Sequence, residues 1–226
     1  GVAEFDWYAK PGTETASSSN LYYSAEDQCW LSTGWFKTVP SEDVDPEAHN
    51  DDEPYWFYAN SNGELAAGEI KTIKGQKYGF DPVGKMLHGL YKITFAEDGR
   101  TILEAEEIES ESDLPDEDED VSVYYFGDSP KEGAMKTGTL PWISTARSIT
   151  TVKSSGSDKG AGVDKIDDGS IYIKGKRVEA EEGSKYEDIE YKGEHYLIST
   201  SGKIMKSKKN IKTATTPTTC TDSKVL

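Results

Sequence analysis

The stretch Glu69-Ile-Lys-Thr-Ile-Lys-Gly-Gln-Lys-Tyr-Gly-Phe-Asp-Pro-Val-Gly-Lys-Met-Leu-His-Gly89 decides the fold. Apolar and polar residues alternate through Ile70-Lys71-Thr72-Ile73 and again through Tyr78-Gly79-Phe80, the period-2 pattern of a half-buried strand. It reads as a strand from Glu69 to Ile73, a Lys74-Gly75 turn, a second strand from Lys77 to Phe80, and a turn through Asp81 to Gly84. A short segment then reaches Gly89.

The end of this unit recurs. Gly63-Glu-Leu65-Ala-Ala-Gly68, Gly84-Lys-Met86-Leu-His-Gly89 and Gly133-Ala-Met135-Lys-Thr-Gly138 share Gly-x-apolar-x-x-Gly, each after an aromatic cluster. Those clusters are Tyr55-Trp56-Phe57-Tyr58, then Tyr78 with Phe80, then Tyr124-Tyr125-Phe126. Weaker copies flank them: Tyr22-Tyr23 leads to Leu31 and Gly34, and Tyr196 leads to Gly202-Lys-Ile204, with Ser207 where the second glycine would fall. A turn with positive φ, or a close approach between stacked hairpins, calls for glycine at these points. The apolar residue between them packs into a column formed by neighbouring copies. The fold class expected is therefore all-β: tandem β-hairpin repeats stacked as an irregular solenoid.

Aligning the copies locates the acidic residues. Units run from Trp35 to Gly68, Glu69 to Gly89 and Leu90 to Gly138, and each opens on a similar strand. The middle unit closes its hairpin with Lys74-Gly75, whereas residues 40–54 and 96–120 expand the same turn in its neighbours. Hairpin tips tolerate insertion at small loop-closure cost, so these are long acidic loops at hairpin tips. The expected organisation is an N-terminal segment 1–20, in which Phe5-Asp6-Trp7-Tyr8 can pair as an initial strand, and a repeat array 21–147. A Gly/Ser-rich loop or linker 148–168, further degenerate hairpins 169–212 and an incomplete repeat or tail 213–226 follow.

Bulk properties narrow the function. The net charge of −17 repels nucleic-acid phosphate and anionic lipid, so neither is an expected partner. No run approaches the length of a membrane-spanning helix. No charged-then-apolar leader is present, so the signal peptide of an exported protein would lie outside this sequence. Cys29 and Cys220 show no CxxC spacing and stand near opposite ends of the array, too far apart to bridge. The three histidines, His49, His88 and His195, sit in no metal-ligand spacing. Asp116-Glu-Asp-Glu-Asp120, and Asp43-Val-Asp45 with Asp51-Asp52-Glu53, lack the glycine and closing glutamate of a calcium loop and read as solvated charge. With no nucleophile motif and no phosphate-binding loop, the chain reads as a non-enzyme without metal or cofactor.

These residues resemble the cell-wall-binding repeat family, which includes choline-binding modules, glucan-binding domains and the C-terminal repeats of large glucosylating toxins. The resemblance rests on Tyr78-Gly-Phe80 before Gly84-Lys-Met86-Leu-His-Gly89 and on Tyr124-Tyr-Phe126 before Gly133-Ala-Met135-Lys-Thr-Gly138, and it covers roughly Leu21 to Lys212. It implies stacked hairpins, and an extracellular protein held at a bacterial cell surface or cell wall. It also implies a cage of aromatic side chains from adjacent repeats that holds a quaternary ammonium by cation–π attraction. That cage uses a Trp directly after the second glycine, which only Gly34-Trp35 keeps; Glu69, Leu90 and Thr139 stand there in the other copies. The resemblance therefore carries a choline cage only to the junction of Trp35 and Trp56.

The expected function is a non-catalytic surface-binding or adhesion module for cell-wall polysaccharide or another surface glycan. Its candidate ligand-binding residues are Trp35, Trp56, Tyr58, Tyr78, Tyr91 and Tyr124, rings able to stack on sugars. The competing reading is a structural spacer or protein-interaction scaffold that engages another surface protein.

Overall fold

Alternation and glycine turns become antiparallel hairpins along the chain. The computed structural model describes residues 5–10, 12, 19–25, 30–115, 120–127, 133–141, 149–152, 160–181 and 183–205, in two compact units divided between Lys136 and Thr137. Cys29, Cys220, residues 116–119 of the second acidic tip, Ser207 and the tail 213–226 lie outside the described residues.

The first unit holds β1 (Asp6–Ala9), β2 (Leu21–Ser24), β3 (Gly34–Thr38), α1 (Pro46–Asn50), β4 (Tyr55–Ala59), β5 (Glu69–Ile73), β6 (Gln76–Phe80), β7 (Leu90–Phe95), β8 (Ile102–Glu107) and β9 (Ser122–Tyr125). Its sheets are the pairs β1–β2, β3–β4 and β5–β6 and a three-stranded β8-β7-β9 sheet. The second unit holds β10 (Gly138–Pro141), β11 (Ile149–Val152), β12 (Lys165–Asp167), β13 (Ser170–Ile173), β14 (Lys176–Arg177), β15 (Tyr186–Tyr191) and β16 (Glu194–Ser199). These form a β10-β11-β14-β13-β12 sheet and a β15–β16 hairpin. The chain is thus nearly all β, as the alternation requires. Among the described residues no helix is long and apolar enough to cross a membrane.

Backbone hydrogen bonds explain why Gly-x-apolar-x-x-Gly recurs. After the second strand of a hairpin the chain turns back and adds a third rung: Ala59 bridges Leu65, Phe80 bridges Met86 and Ile198 bridges Ile204. The next residue donates to the same strand, Ala66 to the Tyr58 carbonyl at 2.8 Å, Leu87 to Gly79 at 2.9 Å, Lys136 to Tyr125 at 2.8 Å and Met205 to Leu197 at 2.8 Å. The apolar residue's own N–H points the other way, into the preceding hairpin. Met86 donates to Trp56, Met135 to Lys77 and Ile204 to Gly169, each at 2.8 Å. One segment thus satisfies its own hairpin and stitches it to its neighbour, which is how these edge strands find backbone partners. Within each unit the hairpins stack in this solenoid fashion.

One copy escapes the sequence pattern. Val178 donates to Ile171 at 2.9 Å, the same rung, but the residue before it is Arg177, paired across to Tyr172. Gly202 stands against the Arg177 stem as Gly133 stands against Met86; a Cβ on either would meet the neighbouring side chain, at 2.9 Å from Arg177 Cγ and 2.5 Å from Met86 Sδ. The Arg177 stem fills the apolar slot while Glu179 accepts from its Nε at 2.9 Å.

Gly79 shows how tightly copies are matched. Its position is occupied by Tyr58 and Tyr125 in the flanking hairpins, yet a Cβ here would fall 2.5 Å from Cζ of the fully buried Phe126. Gly79→Tyr restores the more regular, more β-prone motif. We expect it nevertheless to lower stability by about 1–3 kcal/mol through overpacking, read as a lower urea midpoint; an unchanged or raised midpoint would refute this account of the packing.

The two acidic tips differ from plain loops. Residues 46–50 of the first form α1, started by Pro46 in the first turn and by Asp45, whose side chain accepts from the Ala48 N–H at 3.1 Å. In the second, residues 102–107 pair along the edge of β7 opposite β9. Ile102 and Ile108, both buried, anchor that strand, while Glu104, Glu106 and Glu107 line the sheet edge. Charge at an edge strand discourages pairing with another chain.

Candidate aromatic binding site

The register of β3 against β4 sets Trp35 opposite Tyr58, with Lys37 opposite Trp56. The next hairpin brings Tyr78 onto the same indole. Ring centroids lie 5.2 Å apart for Trp35–Tyr58 and 4.9 Å for Trp35–Tyr78, both edge-on at 66° and 67°. Phe80 stacks against Trp35 at 5.8 Å and 29°. Trp35, Tyr58 and Tyr78 are half-buried, so the triad stands on a buried floor of Ala66, Ile73, Phe80 and Met86 and keeps ring area in solvent.

The preceding junction repeats the arrangement. Trp7 of β1 stands opposite Tyr23 of β2, 5.1 Å between rings, and its edge meets Phe57 of the next hairpin at 5.2 Å and 72°. Phe36 stacks parallel to Tyr23 at 5.0 Å. At the following junction the same two positions hold Ile70 and Gly79. There the corresponding tyrosine, Tyr124, is buried, stacking on Phe126 at 6.1 Å and edging onto Phe95 at 6.0 Å.

No protein-family model matches the sequence, and no curated protein matches it. Among solved structures, CbpF in complex with ipratropium matches at 18% identity and a TM-score of 0.50, over 89% of this chain and 54% of that one. The chain has the fold of a choline-binding protein. A second structure, choline binding protein F from Streptococcus pneumoniae with a peptidoglycan analogue, matches at 17% identity and TM-score 0.48, over 89% and 52%. The chain thus spans about half the length of these two structures.

On this choline-binding-protein fold, the residues singled out from sequence divide into two groups. Trp35, Tyr58 and Tyr78 come together as one triad, and Trp56 packs against the same floor from two positions along β4. Tyr91 and Tyr124 stand apart from them, paired across β7 and β9, with Tyr91 6.4 Å from Phe126. Burial, and then the Glu107 carboxylate, push the Tyr91 phenol well above its ordinary value, so it stays a neutral hydroxyl.

The residues that sequence reading missed are Trp7, Tyr23 and Phe57. A Trp–Tyr pair at the cross-strand positions of a hairpin is the signal that would have found them. It was hidden because Asp6, not glycine, stands directly before Trp7 and because ten residues, far more than a tight hairpin turn, separate Lys10 from Leu21.

A polar cluster holds the first acidic tip to the repeat. Lys85 Nζ lies 2.7 Å from Asp45 Oδ2, 3.7 Å from Asp81 Oδ2 and 4.7 Å from the centre of the Tyr55 ring. Asp81 Oδ1 accepts from the N–H groups of Val83, Gly84 and Lys85 at 3.0, 2.8 and 2.8 Å. Asp45, read from sequence as part of a solvated charge run, is therefore committed to capping α1 and pairing Lys85. Among the described residues no group of three or more His, Cys, Asp or Glu is placed to hold a metal ion.

Proposed function

We propose that this chain is a non-catalytic module of a bacterial cell surface that binds wall glycan, or another carbohydrate, through aromatic junctions between hairpins. The observation that carries the reading is the repetition of a Trp–Tyr–aromatic triad at two successive junctions, in which Trp7, Tyr23, Trp35, Tyr58 and Tyr78 keep ring area in solvent while Phe57 is buried beneath the first. Apolar ring faces stack on the C–H face of a sugar, and tryptophan and tyrosine also attract organic cations. The chain's net charge of −17 favours cationic groups on such a polymer and disfavours nucleic acid. The likeness to CbpF, a choline binding protein, supports a wall ligand at this fold's junctions.

A spacer or protein-interaction scaffold is the second reading. It is favoured by direct contact between the rings and by the apolar third junction, where Ile70 and Gly79 leave no tryptophan. Sedimentation with purified cell walls separates the two readings, together with binding to a glycan array. Trp35→Ala, Trp56→Ala and Tyr78→Ala are each expected to weaken wall retention by about tenfold, the scale of losing one ring contact, while circular dichroism stays unchanged. Retention of wild-type affinity by all three, or collapse of the fold in each, sinks the binding reading and favours the scaffold.

A further inference from the structure

The first acidic tip is more than a solvated excursion. Folded back through α1, it walls a cleft of about 320 Å³ against the first hairpin junction, lined by Asp6, Trp7, Tyr23, Thr38, His49 and Asp52 with Val39. That volume is at the small end of ligand sites, the scale of one sugar ring or one amino-acid side chain. The indole is fixed, because Trp7 Nε1 donates to the Val39 carbonyl at 2.8 Å. Thr38 Oγ1 donates to the Tyr23 hydroxyl at 3.1 Å, which leaves the phenol hydrogen for a ligand oxygen. The His49 ring is fixed as well, its Nδ1 lying 2.8 Å from the Pro40 carbonyl. Two carboxylates, Asp6 and Asp52, line the cleft and neither lysine nor arginine does. Neither carboxylate meets a hydrogen-bond or ion-pair partner among the described residues.

Rings that attract a cation by their faces, beside carboxylates that accept hydrogen bonds, define a different ligand from a purely aromatic cage. A quaternary ammonium has no N–H to offer, so unpaired carboxylates contribute only charge to it. A protonated primary amine fills both roles, cation–π contact and charge-assisted hydrogen bonds. We propose that this cleft, built by the insertion at residues 40–54 on the Trp7–Tyr23 junction, is a binding site for a protonated primary amine. The amine would be carried on a sugar ring, as in a de-N-acetylated amino sugar, or on a lysine-type side chain. The inference goes beyond wall binding by the Trp35 triad and stands on different residues.

Calorimetry and tryptophan fluorescence on the full chain test it, with four probes: glucosamine tetramer, N-acetylglucosamine tetramer, lysine amide and tetramethylammonium chloride. We expect glucosamine tetramer or lysine amide to bind at least about tenfold tighter than the acetylated sugar and than tetramethylammonium, because only they bring N–H donors. Whichever of the two binds tighter identifies the carrier of the amine. Asp6→Asn with Asp52→Asn is expected to lower that affinity by at least about tenfold without moving the melting temperature, since both side chains are exposed and unpaired; Asp52→Asn alone should give part of the loss. Equal binding of tetramethylammonium, or full affinity in the double variant, overturns the proposal. Absence of any amine binding while wall sedimentation persists overturns this site and leaves the wall-binding reading standing.

Discussion

Phe80→Ala is expected to destabilise the first unit by about 3–5 kcal/mol, the cost of emptying a fully packed aromatic site. Phe80 has no solvent exposure and lies in one cluster with Ala66, Ile73 and Met86. It bridges Met86 through its own third rung and supports Trp35 of the preceding hairpin at 5.8 Å. Its loss therefore opens a cavity between copies rather than at an edge. Urea unfolding followed by tryptophan fluorescence measures the change, with Phe80→Leu as a partial rescue. A loss below about 1 kcal/mol would mean that the column of apolar residues is not what holds the hairpins together. Because Trp35 rests on this ring, the same variant should also weaken wall retention, whereas Phe80→Leu should restore most of it.

Lys85→Met should come next, at about 2 kcal/mol. Removing one partner of a buried ion pair costs about 3–5 kcal/mol, and the residual side-chain exposure here, 22% for Lys85 and 14% for Asp45, reduces that figure. Methionine keeps a stem of similar length, so the loss reports the charge, including the ammonium's contact with the Tyr55 ring. Burial raises the Asp81 carboxyl above its ordinary value, against the opposing pull of Lys85 and of three backbone N–H groups. The sign follows from linkage. A carboxyl whose folded pKa is raised binds a proton more readily folded than unfolded, so its contribution to stability falls as pH rises from the ordinary carboxylate value through the raised one. Without Lys85 the raise grows and the ionised form is buried at greater cost. The difference between wild type and Lys85→Met should therefore be largest near about pH 7 and shrink toward about pH 4. Urea midpoints of both proteins at the two pH values check it, and an identical difference at both would show that Asp81 is not the group left uncompensated.

Ile70 to Ile73 and Tyr78 to Phe80 alternate strictly, Lys74-Gly75 turns between them, and the observed strands β5 and β6 differ from that reading by one residue, Gln76. Ser170 to Ile173 and Tyr186 to Tyr191 were equally plain. Strand alternation and turn chemistry are local, so they survive in sequence. Gly63, Gly84 and Gly133 were legible for a related reason: each takes a positive φ where the chain turns back into its third rung.

Other features were decided only by contacts between residues distant in sequence. The register of β3 on β4 faces Trp35 with Tyr58 and leaves Trp56 opposite Lys37; a shift of two residues would have set Trp56 opposite Trp35 on the same face, and nothing local to either strand forbids it. Arg177 takes a slot held elsewhere by Met86 because Glu179 is there to neutralise it. Residues 102–107 became a strand because β7 had an open edge, although their acidic composition reads as loop. The Trp7–Tyr23 junction, and the cleft that α1 closes over it, exist only once four elements have met. That the protein is built of short hairpins can be read within a few residues of each turn, because alternation and turn chemistry are local. Which rings meet, and which carboxylates face them, was left to the tertiary structure, because register and stacking are properties of pairs on different strands and different hairpins, such as Trp35 with Tyr58 and Trp7 with Phe57.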